Sequence, residues 1–156
     1  MQASIRKKPG SADIAKDMRQ MAQNLSDLDG LLEQIGDLVF AVLQESIQEG
    51  KAPSGEKWAK LANATIALKA KYGFPAQPLV RTGRLKNGIM VSIDSEKQIS
   101  IGFAPELAAY ARFHQEGAQN LPRRPLITAL APEDRERLEA LIRAHIASGV
   151  EALQSE

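Results

Sequence analysis

The clearest pattern in the chain is a stripe of aliphatic residues between positions 28 and 47. These residues recur at steps of three and four, which is the period of one face of an α-helix. Ser26 precedes the stripe as a candidate N-cap, and Gly50 follows it as a candidate left-handed C-cap. The pattern predicts a long helix that forms the spine of the fold. Its apolar face consists of Leu28, Leu31, Leu32, Ile35, Leu38, Val39, Val42, Leu43 and Ile47.

A different pattern, with aliphatic or aromatic residues at every second position, occupies the segments 89–93 and 98–103. Alternation on both sides of a short polar link predicts an antiparallel β-hairpin at about 88–103. Two strands alone make only a marginal sheet. We therefore expect further strands, which come either from residues 125–128 and the segment near Leu79 or from a neighbouring subunit.

The rest of the chain divides into shorter helices and connectors at turn-forming residues. We interpret residues 1–11 as a flexible arm and 12–156 as a single α+β domain. In this domain a long N-terminal helix and a C-terminal helix pack on a small antiparallel sheet that contains the hairpin. In chain order we expect a helix at 13–23, a helix at about 63–72 and an extended connector at 74–79. After the hairpin we expect a helix that begins at Pro105 and ends at Gly117, an extended segment at 125–130, and a last helix that begins at Pro132. The buried face of this last helix consists of Leu138, Leu141, Ile142, His145 and Ile146.

Composition narrows the class of protein. The 156 residues are 44% hydrophobic and only 4% aromatic, which fits one domain with a mainly aliphatic core. There is no cysteine, so disulfides and thiolate metal sites are excluded. No apolar run approaches the length of a membrane span, and the polar, basic start lacks the apolar middle of a secretory signal. We expect a location in the cytoplasm of the cell that makes the protein, and no contact with a membrane.

Charge is segregated along the chain although the net charge is only +1. Acidic residues dominate 27–49, and Lys and Arg dominate 51–86, where Glu56 is the one acidic residue. This segregation fits an acid-to-base contact between copies, a surface that tolerates nucleic acid, or two solvated faces of one domain. The basic segment does not interleave its aromatic residues as a stacking platform requires, so we expect at most weak contact with a nucleic-acid backbone.

No arrangement of residues in the sequence carries catalytic chemistry. His114 and His145 lie on different predicted helices, and neither has a second ligand at metal spacing. A Gly-rich phosphate loop and a Gly-x-Ser-x-Gly elbow are both missing from the sequence. We therefore expect a non-enzymatic protein with no catalytic residues, no metal site and no cofactor. A small hydrolase would need a deep polar pocket around His114.

Two single residues could belong either to a site or to the core. For His114 we favour a half-buried ring that hydrogen-bonds to a backbone carbonyl near a helix end. We expect Trp58, the only tryptophan, to pack in the core beneath the connector rather than to present a binding platform.

Four sequence segments resemble the phage virion morphogenesis family, the tail completion proteins of Mu-like and related phages. Residues 54–61 are similar to its Gly-x-x-Trp-x-x-Leu loop, and residues 79–85 to its Leu-x-x-Thr-Gly-x-Leu element. Residues 110–117 and 121–126 are similar to its Tyr-Ala…His-Gln…Gly and Pro-x-Arg-Pro elements. The candidates for interface residues that these motifs supply are Trp58, Thr82, Gly83, Leu85, Tyr110, His114, Gln115, Gly117, Pro122, Arg124 and Pro125.

The matched residues have physical roles that can be argued from their chemistry. Gly83 and Gly117 would supply backbone freedom at a turn or a helix end. Pro122 and Pro125 would hold Arg124 on a rigid segment, and a rigid arginine suits a buried carboxylate or a subunit interface. The alternative is that Arg124 anchors its own domain, against an acidic residue of the long helix.

The resemblance implies a structural protein that completes the phage tail at the head–tail junction. It implies copies that associate in a ring and that contact tail tube or neck proteins. It also implies a location in the bacterial host cytoplasm during assembly, and then in the tail or neck of the virion. The alternative is a basic module of the neck that contacts nucleic acid, and weak non-specific DNA contact is compatible with both hypotheses.

Overall fold

The computed structural model describes residues 16, 18, 19, 28–95, 98–118 and 120–151. In these residues the fold is α+β, as predicted, with helices at both ends of a hairpin. The elements are α1 (Asp29–Glu49), α2 (Asn63–Lys71), α3 (Arg84–Asn87), β1 (Ile89–Ser95), β2 (Gln98–Phe103), α4 (Pro105–Glu116) and α5 (Pro132–Glu151).

Helix α1 confirms the prediction from the aliphatic stripe. Its inner face buries Leu31, Leu32, Val42, Leu43 and Ile47, because these residues share one side of the helix. The helix ends as predicted at Gly50, whose φ of 71° is left-handed and whose N–H donates to the carbonyl of Ser46.

The beginning of α1 differs from the prediction. The helix begins at Asp29, and its N-cap residue, Leu28, makes no side-chain capping bond. The predicted cap, Ser26, lies outside the described residues, as does the predicted arm at 1–11. The predicted helix at 13–23 also lies outside them, except for Lys16, Met18 and Arg19, which are helical.

Strands β1 and β2 form the predicted antiparallel hairpin. Ile89 pairs with Phe103 and Val91 with Ile101, so the apolar alternation of both strands falls on the same face. This face packs on α1. The approach is close at Gly36, where a Cβ would lie 3.1 Å from Cγ1 of Val91. The glycine therefore lets the hairpin contact the long helix.

The prediction of further strands from within the chain is wrong. In the part of the chain that the structure describes, the sheet has two strands, and residues 125–130 and the segment near Leu79 are irregular. The connector at 74–79 is likewise not extended but bends and turns, and Leu79 has a positive φ of 61°. Both segments bond to side chains instead of strands, because Gln115 and Lys69 supply the partners of their backbone groups.

The core lies where α1, the hairpin, α4 and two loops meet. It contains Leu43, Ile47, Ala52, Trp58, Leu85, Ile89, Ala111 and Leu126. Trp58 is therefore a core residue, as predicted. Leu85 reaches the core from α3, a four-residue helix that the sequence patterns did not predict. Helix α5 packs on α1, but its predicted stripe is only half-buried, and Ile146 is exposed because α5 lies at the outside of the core.

Candidate functional site

The motif segments at 79–85, 110–117 and 121–126 meet at one cleft. Helix α2 supplies one wall, α4 supplies another, and residues 79–81 and 120–124 close the sides. Its volume is about 490 Å³. We call this space the basic cleft. Its lining residues include Lys60, Lys69, Arg81, Tyr110, His114, Pro122 and Arg124.

A second cavity of about 470 Å³ continues from the basic cleft. The two share Leu79, Arg81 and Tyr110, and the second one runs on to the motif residues around Gly83. Gly83 has a φ of 80°, which a glycine adopts without strain, and it is the N-cap residue of α3. The lining of this adjoining cavity includes Thr82, Gly83, Arg84, Leu85 and Glu106.

Arg124 lies in the wall of the basic cleft and is only 5% exposed. Its Nε donates to the carbonyl of Ala59 at 3.2 Å, and its Nη2 donates to the carbonyl of Lys60 at 3.5 Å. Its backbone N–H donates to the carbonyl of His114 at 2.7 Å. Burial lowers the pKa of the guanidinium. Arg124 therefore anchors its own domain, but the predicted acidic partner on the long helix is wrong, because the acceptors are backbone carbonyls.

His114 lies beside Arg124 and is 6% exposed. Its ring meets the Tyr110 ring edge to face, with 4.6 Å between the centroids. Burial, and secondarily the charge of Arg124, lowers the pKa of His114. Among the described residues, its buried Nδ1 has no hydrogen-bond partner. The predicted bond from this ring to a backbone carbonyl is therefore wrong at Nδ1.

Lys69 also lines the cleft, and sequence reasoning did not select it as a site residue. Its Nζ donates to the carbonyls of Pro75, Gln77 and Val80 at 3.0, 2.5 and 2.5 Å. Burial lowers its pKa, and the nearby charges of Arg124 and then Arg81 lower it further. Its position in the basic segment was the only sequence signal, because the irregular connector that it binds has no regular pattern.

Arg81 differs from Lys69 and Arg124 because its side chain is exposed. Its guanidinium lies over the ring of Phe74, 4.7 Å from the ring centroid. No hydrogen bond or ion pair ties it to another described residue. Arg81 is therefore a cation of the cleft that can meet an incoming ligand without breaking a hydrogen bond or ion pair to another described residue.

The other motif residues lie behind the cleft and hold it in shape. Gln115 Oε1 accepts from the N–H groups of Leu126 and Ile127 at 2.7 and 2.9 Å, and its Nε2 donates to the carbonyl of Ile127 at 2.8 Å. Trp58 Nε1 donates to the carbonyl of Pro125 at 3.0 Å. These bonds fix the residues that follow Arg124.

Gly117 makes the sharp turn between α4 and the segment that carries Arg124. Its φ of 77° and ψ of 162° lie in a region that only glycine adopts readily. A Cβ there would also lie 3.3 Å from the backbone nitrogen of Arg123. The predicted candidates therefore divide into residues that line the cleft or its adjoining cavity and residues that hold the segments behind it.

The described residues contain no cluster of three or more His, Cys, Asp or Glu side chains that could hold a metal ion. Within the same part of the chain, none of the helices combines the length and the apolarity that a membrane crossing requires.

Comparison with known families assigns the chain to a class. The profile of the phage virion morphogenesis family matches residues 11–147, which include all the segments that form the cleft. The chain belongs to the phage virion morphogenesis family and therefore acts in the assembly of phage particles. No curated protein and no solved structure matches it.

Proposed function

We propose that this chain is a non-enzymatic structural protein that completes the phage tail at the head–tail junction. The observation that carries the proposal is the convergence of three separate motif segments, 79–85, 110–117 and 121–126, on one basic cleft. Family membership supports the assembly role. A cleft that joins the motifs and presents cations supports recognition of another protein surface.

The chemistry of the cleft supports binding rather than catalysis. A histidine that acts as a general base is commonly oriented by a carboxylate on its second ring nitrogen. No carboxylate lines the basic cleft, and Nδ1 of His114 has no partner among the described residues. The cations of the buried Arg124 and the partly buried Lys69 bond to backbone carbonyls and stabilise the walls. These groups suit the positioning of an anionic side chain.

The proposed mechanism is surface complementarity between copies and with tail tube or neck proteins. Exposed large apolar side chains support such contacts. They include Phe113, Leu121 and Ile127, which are 55%, 48% and 41% exposed. Copies associate in a ring that follows the rotational symmetry of the tail. The protein is made in the bacterial cytoplasm and remains in the tail or neck of the virion.

Deletion of the gene from the phage or prophage that carries it tests this role. We expect DNA-filled heads and separate tails in electron micrographs of the lysate, and joined particles when the wild-type gene is supplied in trans. Joined, infectious particles in the deletion lysate would contradict the proposal. An absence of DNA-filled heads would place the protein in head assembly instead.

DNA contact in the neck is the second candidate function, and exposed lysines of the basic segment favour it. Lys57, Lys60 and Lys71 are exposed, whereas Lys69 supports the fold through its three carbonyl bonds. Because Lys60 also lines the basic cleft, replacement of Lys57 and Lys71 alone by Gln tests DNA contact without a change in the cleft. Loss of retention on DNA together with failure to join particles would favour this candidate. Intact joining by a protein that does not bind DNA would eliminate it.

A further inference from the structure

The basic cleft carries positive charge, and none of the described residues that line it is acidic. Lys60, Lys69, Arg81 and Arg124 line it. Arg81 and Arg124 are close enough to Lys69 to lower its pKa. A buried cation without an ionic partner is costly, and nearby like charges add to the cost. An anion that entered the cleft would relieve both.

The shape of the cleft selects the kind of anion. Arg124 is 5% exposed, and carbonyls enclose the Nζ of Lys69, so a ligand must insert a small charged group to approach them. Duplex phosphates are contacted mainly by groups that project from the protein surface. The cleft, with a volume of about 490 Å³ and buried groups in its wall, therefore fits the carboxylates of a protein side chain better than a DNA backbone.

Helix α1 presents carboxylates of the required kind. Asp29, Glu33 and Asp37 follow one another at four-residue spacing, and all three are exposed. We call these three residues the acidic stripe. No ion pair joins them to another described residue. Like charges at this spacing destabilise a helix. The stripe would therefore gain from an opposite charge, as the cleft would.

We propose that the acidic stripe of one copy docks in the basic cleft of the next copy. The two surfaces are different parts of the chain, so the contact is head-to-tail, and repetition of such a contact closes a ring when the rotation permits. This inference rests on the proposed assembly role and specifies the contact through which copies associate. The cations of the cleft meet carboxylates from outside the protomer, and the repulsion along α1 is relieved at the same contact.

Charge reversal on each side tests the contact. Arg81→Glu reverses a cation of the cleft that does not hold the backbone, and a double variant, Glu33→Lys with Asp37→Lys, reverses the stripe. Lys57→Glu and Glu136→Lys are the matched controls, because both residues are exposed and belong to neither surface.

The measurement is sedimentation velocity at low ionic strength across a range of protein concentrations. We expect the wild type to associate, and each reversed variant to associate at least about tenfold more weakly, because each reversal removes an attractive charge pair and puts a repulsive one in the contact. An equimolar mixture of the two reversed variants restores association into pairs, since the unaltered stripe of the Arg81→Glu chain meets the unaltered cleft of the stripe-reversed chain. The controls associate like the wild type.

Several outcomes would overturn the proposal. Wild-type protein that stays monomeric up to about 1 mM does not form the contact. Reversed variants that associate normally, or a mixture that fails to restore association, also overturn it. Loss of DNA retention by Arg81→Glu with unchanged association would show that the cleft binds phosphate.

The joining of heads and tails by the same variants separates this inference from the proposed function. If the wild-type protein completes tails without self-association, the proposed tail role stands and only the proposed contact between copies is contradicted. If the protein self-associates through the two surfaces but does not complete tails, the proposed tail role is contradicted and the contact between copies stands.

Discussion

Gln115 offers the sharpest quantitative test of how the cleft is held in shape. Its side chain makes three hydrogen bonds to the backbone of residues 126 and 127, directly behind the segment that carries Arg124. The bond to Leu126 N–H is partly buried, so its loss costs about 1 kcal/mol or slightly more. The two bonds to Ile127 are exposed, and water replaces them at about 0.5 kcal/mol each. Gln115→Ala should therefore lower the free energy of unfolding by about 2 kcal/mol.

A second variant separates the acceptor from the donor. Gln115→Glu retains oxygen acceptors for both N–H groups but loses the donor to the carbonyl of Ile127, so we expect a cost of about 1 kcal/mol. The control is Gln34→Ala. Gln34 is exposed and donates only to Gly30 of its own helix, so its change should stay within about 0.5 kcal/mol.

Urea unfolding, followed by circular dichroism, measures these differences. For a chain of this size, a loss of 2 kcal/mol corresponds to a fall in Tm of about 4–8 °C. A cost below about 0.5 kcal/mol for Gln115→Ala would refute the structural role of the side chain. A larger cost for Gln115→Glu than for Gln115→Ala would show that the acceptor bonds do not matter.

Three further predictions concern neighbouring motif residues. Gly117→Ala should destabilise the fold by about 1–3 kcal/mol in urea unfolding, because its positive φ disfavours a Cβ, and an unchanged midpoint would contradict this. Trp58→Phe removes the hydrogen bond to Pro125 and should cost about 2 kcal/mol in the same assay, whereas a cost near zero would mean that this bond does not hold the segment. The pKa of His114 is lowered from its ordinary value of 6.5, so folding favours the neutral ring, and stability should be lost as the pH falls from about 7 through the folded-state pKa. His114→Gln should reduce this loss of stability in unfolding experiments from pH 7.5 to 5. His145→Gln is the control for an imidazole outside the cleft. A pH profile of stability that is unchanged in His114→Gln would contradict the argument.

Local patterns predicted the elements that local interactions dominate. The stripe of α1 and the alternation of the hairpin each repeat with the period of their element, so burial on one face follows directly. Pro105, Pro132 and Gly50 mark helix ends through backbone chemistry that does not depend on the rest of the fold.

Tertiary contacts decided what the sequence predicted wrongly or missed. Residues 125–130 have the composition of a strand, but the side chain of Gln115 binds their backbone in place of a neighbouring strand. Lys69 belongs to the cleft because the connector folds over its ammonium group. One predicted partner of Arg124 was an acidic residue of the long helix. Its guanidinium instead donates to backbone carbonyls of the loop after Trp58. In each case a side chain binds the backbone of another segment of the chain, and no pattern of sequence spacing predicts such a contact.

The resemblance of the four motifs selected four residues that line the basic cleft, Tyr110, His114, Pro122 and Arg124, but spacing alone did not bring them together. Thr82 and Tyr110 are far apart in sequence and line the same adjoining cavity. The motifs therefore indicated which residues matter, and the structure indicates how they share one site. The residues behind the cleft, such as Gln115, differ from those in its wall by what they bind, and sequence carried no sign of this difference.

The central claim is completion of the tail where it joins the head. Its most direct test adds purified protein to tails from a phage that lacks the gene, together with DNA-filled heads, and measures infectious titre and the position of gold-labelled protein. The account predicts that the titre rises with the amount of protein and that the label lies at the head-proximal end of each tail. Tails that join heads equally well without the protein, or a label confined to the heads, would contradict it.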